Sequence, residues 1–90
     1  MKLDSWNLPG VIQITNKGIP KLVSFSIFKD SGAFFGNCLV KEDEDIKSSD
    51  IKCGEVSKAD IELMVDWLSI HKSQILSSAE GAAIIVKRKF

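Results

Sequence analysis

From Ser57 to Gln74 the chain contains no glycine and no proline, and this stretch is apolar round more of its circumference than one small core needs. A helix from Ser57 to about Leu76 is the element such a run forms. Ser57 is a good N-cap, because its hydroxyl can accept from a free N–H of the first turn. Asp60 completes an S-x-x-D pattern and sets negative charge at the positive end of the helix dipole. At about 100° per residue, Lys58, Glu62, Asp66, Ser69 and Ser73 form one narrow polar stripe. Ile61, Met64, Leu68 and Ile75 cluster on one side, with His71 among them. Leu63, Trp67 and Ile70 form a second cluster roughly 100° further round. A surface helix needs an apolar stripe of a little over about 100°. Either both clusters are core beneath a cupped sheet, or the Leu63, Trp67, Ile70 side meets another chain. Trp67 is then the natural anchor, since Trp is enriched among residues that dominate binding.

The rest of the chain reads as strands. Leu8-Pro9-Gly10 reads as a turn, and Val11 to Thr15 as a strand with Ile12 and Ile14 on one face. Asn16-Lys17-Gly18 is a reverse-turn signal. From Leu22 to Phe28, Val23, Phe25 and Ile27 alternate with Ser24 and Ser26. After a turn at Asp30-Ser31-Gly32, Ala33 to Val40 forms a third strand, with Phe34, Cys38 and Val40 sharing a face and one of the rings of Phe34 and Phe35 facing outward. Lys41 to Asp50 is a charged loop. Ile51 to Val56 is a short fourth strand, weakened by Gly54. Gly81 follows the helix, and Ala82 to Phe90 is β-rich, with Ile84 and Val86 facing one way and Ile85 the other. Lys87-Arg88-Lys89 supplies charge suited to an edge. The order β-β-β-(β)-α-β predicts a single α+β domain over residues 1–90: an antiparallel sheet of four to five strands with one long helix packed on a face.

Charge separates partners more sharply than it separates folds. Twelve basic and twelve acidic side chains cancel, so nothing draws the whole chain towards nucleic acid or anionic lipid. The distribution is uneven, however. Residues 41–66 hold nine acids and four bases, a net of −5, whereas residues 67–90 hold four bases and one acid, a net of +3. The acidic segment, with Glu42, Asp43, Glu44, Asp45, Glu62 and Asp66, is a candidate surface for a basic partner.

Tests for chemistry fail one by one. Cys38, Cys53 and His71 contain no C-x-x-C pair, the feature that makes zinc signatures specific. A Cys–His nucleophile pair has no support beyond the coexistence of these residue types. As a calcium loop, Asp43 at position 1 puts Lys47 at position 5, Ser48 where glycine is required and Gly54 where the bidentate Glu belongs. The glycines precede no helix in a phosphate-binding pattern, and three basic residues at 87–89 are too few to claim nucleic acid. No catalytic residue, cofactor or metal is implied.

The opening MKLDSWNLPG has no apolar core of a secretory leader, and no run approaches the roughly 20 residues of a membrane span. The expected compartment is the cytoplasm, with Cys38 and Cys53 as reduced thiols. The sequence thus points to a small protein-interaction module: an inhibitor, adaptor or immunity-like protein that also has the means to form a homodimer. Its candidate binding residues are Leu63, Trp67, Ile70 and the six acids named above. An acid-faced mimic of nucleic acid, blocking a basic enzyme, is the first alternative reading, and a small enzyme the second.

Overall fold

The computed structural model describes residues 8–29 and 32–87. Side-chain alternation dictates its strands. In β2 (Lys21–Lys29), Val23, Phe25 and Ile27 are buried while Leu22, Ser24, Ser26 and Phe28 are not. That is the period of two expected of a sheet with one dry face. β1 (Gly10–Ile14) turns Ile12 and Ile14 inward, and β3 (Gly32–Val40) does the same with Cys38 and Val40. With the short strands β4 (Ile51–Cys53) and β5 (Ala83–Val86), they make a five-stranded antiparallel sheet in the order β4-β3-β2-β1-β5. With its long helix the fold is α+β.

Because every neighbouring pair is antiparallel, β4 and β5 run in the same direction at opposite edges. The chain between them must cross the sheet, about 19 Å for four strand spacings. It does so with α1 (Lys58–Ile70) and α2 (Lys72–Leu76). The start of α1 lies at the β2–β3 turn, where Asp60 pairs with Lys29 at 3.6 Å, and α2 starts beyond the far end of β3, where Lys72 Nζ reaches the Glu44 carbonyl at 2.6 Å. Ser57 caps α1: its backbone is extended and its Oγ accepts from the Asp60 N–H at 3.2 Å. Met64, Trp67, Leu68 and Ile75 are fully buried in one cluster with the inward strand residues.

Three elements differ from the sequence reading. The helix is not continuous to Leu76. It breaks at His71 (φ −101°, ψ 9°), whose N–H bonds back only three residues, to Leu68 O at 3.1 Å. No breaker residue marks the site. The His71 ring lies edge-on to Trp67, one turn earlier, with centroids 5.1 Å apart. Leu8-Pro9-Gly10 is not a turn: Phe28 N–H donates to Pro9 O at 2.9 Å, and Gly10 opens β1 between Ile27 and Val86. Its glycine serves close approach, since a Cβ there would strike the Ser26 carbonyl oxygen and sit 2.7 Å from the Trp67 ring. The fourth strand stops at Cys53, before Gly54. In the charged loop Glu42 to Asp45 are exposed, while Ile46 is buried and Ser48–Asp50 forms a 3₁₀ turn. The expected turn residues Asp30 and Ser31, and Arg88 and Lys89 of the basic cluster, lie outside the described residues.

Candidate functional site

The helix surface does not carry the exposed apolar area that its sequence promised. Trp67 is 0% exposed. Its Nε1–H donates to Leu8 O at 2.9 Å, and its ring fills the space that Gly10 leaves open. A side chain so enclosed has no surface for another chain, which corrects its reading as a partner anchor. The physical reason is angular. Trp67 lies between the two clusters, and Met64, Trp67 and Leu68 together occupy one arc of about 100°, the ordinary width of a buried face. Leu63 and Ile70 flank that arc and are half-buried, and Leu63 packs against the core.

The acidic residues are on the surface, yet part of their charge is already answered. Glu42, Asp43, Glu44, Asp45, Glu62 and Asp66 are all exposed. Lys41 Nζ lies 3.1 Å from the Glu44 carboxylate and 3.7 Å from that of Asp50. The hydrogen bond that Lys41 donates to Glu44, with the charges of Glu44 and Asp50, holds the Lys41 ammonium above its ordinary pKa. Lys72 Nζ donates to the Glu44 carbonyl at 2.6 Å, tying the loop to α2. Asp50 accepts from the Lys47 N–H at 3.0 Å.

The surplus apolar surface sits instead on the outer face of the sheet. The register aligns side chains there in rows. Ile85, Val11, Ser26 and Phe35 form one row across β5, β1, β2 and β3. Next to it run Gln13, Ser24, Asn37 and Lys52, and then Leu22 beside Leu39. Phe28 pairs with Ala33 at the far end. Phe35 is 67% exposed and Ile85 69%, with Leu22 and Phe28 also largely open. Among the described residues, Lys52 is the one charged side chain at an outward strand position. An antiparallel sheet facing water on one side normally alternates hydrophobic-in with polar-out. This face breaks the rule in four strands. An open trough of about 430 Å³ lies beside Phe35, over Val11, Gln13, Ser24 and Ser26. A second hollow of about 460 Å³ continues past Asn37 and Lys52 towards Leu22 and Leu39.

Sequence reasoning had half of this surface. The outward direction of Ile85 and of one Phe ring is visible in the alternation. The strand order that brings Ile85 and Phe35 onto one row is not.

The thiols do not form a reactive site. Cys38 is buried, and desolvation, helped by the charge of Asp50, pushes its thiol up to about 12. Its Sγ approaches Leu39 O at 3.6 Å, and Cys53 is half-buried. Among the described residues, no three of His, Cys, Asp and Glu are grouped so as to hold a metal ion. Nor is any helix among them long and apolar enough to cross a membrane. Comparison with protein families, with characterised proteins and with solved structures finds no match for this chain.

Proposed function

We propose that this domain acts by binding another protein, and that its docking surface is the outer face of the sheet. The observation that carries the reading is the near absence of charge on a face that exposes Phe35, Ile85, Leu22 and Phe28. Exposed apolar patches on small domains mark interaction sites, and interface centres are depleted in charge and enriched in aromatic residues. The acids Glu42, Asp43, Asp45, Glu62 and Asp66 offer a second surface, suited to steering a basic partner. An inhibitor or adaptor role in the cytoplasm fits a chain with two free thiols. Burial keeps the Cys38 thiol protonated at neutral pH, which suits a structural role for this side chain rather than a nucleophilic one.

The test is a photo-crosslinking residue placed at Phe35 in the native host, with Lys58 on the helix as control position. Discrete protein adducts from position 35 that are absent from position 58 are expected. Failure to form any adduct at position 35 overturns the reading.

A further inference from the structure

We infer that the outer face of the sheet is the interface between two copies of this chain, packed sheet against sheet. The inference rests on the docking surface proposed above and names its occupant.

Charge is the first argument. A two-fold axis sets residue i of a patch against residue j of its copy, and j against i, so a charge finds its opposite there only if the same patch carries one. Charged residues make up 27% of the chain, yet the outward strand positions carry only Lys52, on the edge strand β4. Among the described residues a second copy meets one charge at an outward strand position, Lys52 at the edge, with Asp50 beside it in the adjoining hollow. A partner recognised by opposite charge would need groups that the face lacks.

Hydrogen bonding is the second. Gln13, Ser24 and Asn37 stand in cross-strand register along the middle of the face. Amides and hydroxyls both donate and accept, so these three are complementary to their own copies, while Lys52 at the β4 end of the row only donates. Apolar side chains flank it on both sides. Phe35 and Ile85 stand three strands apart on one row, about 14 Å. The trough beside Phe35 gives an aromatic ring from the second copy a place to lie.

Area is the third. Five strands, two of them nine residues long, present a face of about 480 Å² in plan, before the relief of the side chains is counted. A standard interface buries about 800 Å² of accessible surface on each partner. Two such faces stack about 10 Å apart in aligned sandwiches.

Sedimentation equilibrium of the full chain at about 1 to 100 μM, the range of moderate affinity, is the test. Twice the chain mass is expected at the upper end. Phe35→Asp and Ile85→Asp should each weaken the dimer about thirtyfold or more, as loss of an interface anchor does. Ile19→Asp, exposed but in the loop before β2, should leave the dimer unchanged. Circular dichroism of each variant verifies that it is folded. A wild-type monomer at about 100 μM, or a dimer that both face variants leave intact, overturns the inference. Adducts from position 35 to a different protein, with the chain itself monomeric, would overturn this inference and leave the proposed function standing.

Discussion

The indole N–H of Trp67 donates to the carbonyl oxygen of Leu8 at 2.9 Å, across 59 positions of sequence. The bond fixes the middle of α1 to the start of β1, and Gly10 makes it possible by leaving the ring its space. Trp67, Leu8 and Gly10 are therefore one unit of the core, although the sequence separates them into a helix anchor and a turn.

Gly10→Ala should destabilise the fold by about 3 kcal/mol, at the upper end of overpacking, because its Cβ meets backbone as well as the indole. Trp67→Phe should cost about 2 kcal/mol, since it leaves the buried Leu8 carbonyl without its donor. Thermal unfolding measures both. For a domain of this size each kcal/mol moves the midpoint by about 4–8 °C. Trp67→Lys should not fold, as it places an unpaired charge at a fully buried position.

Cys38 makes stability fall in alkali. Its thiol is raised from 9.0 to about 12 by burial. Below pH 9 both folded and unfolded chains hold the proton, and stability is unaffected. Above it, only the unfolded chain ionises, so stability should fall by about 1.4 kcal/mol per pH unit between about 9 and 12. Urea unfolding at pH 8 and pH 10.5 reads the slope, and Cys38→Val should remove this component. In the native protein at pH 8, a thiol reagent should label Cys53 well before Cys38, and the unfolded chain should show two thiols.

Replacing Glu42, Asp43, Glu44 and Asp45 by Ser or Asn should change stability by less than about 1 kcal/mol, because the loop's ion pair to Lys41 is exposed. Binding of a basic partner should slow and lose its salt dependence. Stopped-flow association at low and high salt is the check. A rate insensitive to salt in the native protein removes the acidic surface from the reading.

Local patterns were legible and long-range ones were not. Val23, Phe25 and Ile27 in β2, Cys38 and Val40 in β3, and the Ser57 cap of α1 all follow from spacing alone. Each is decided by neighbours within a few residues. The role of Gly10 depends on Trp67 and Ser26, which lie 57 and 16 residues further on. Lys21 shows the same limit. It precedes the strand read from Leu22, yet it is buried and its Nζ donates to Ser78 O at 2.9 Å, a carbonyl 57 residues away. The outer face required the strand order, which puts β5 beside β1. No local signal contains that pairing, and without it Ile85 and Phe35 remain unrelated side chains.

The place of β5 also sets an order of events on the ribosome. Synthesis delivers β1, β2, β3 and β4 in the sequence in which they pair, so a four-stranded meander can assemble as it emerges. One flank of β1 then stays open, and the apolar side of the meander stays bare, until the helices and residues 83–86 have followed. The nascent chain thus exposes a sticky strand margin for the time needed to make some thirty further residues, about 2 to 6 s. A stop codon or a protease cut in that stretch would release the species most prone to aggregate.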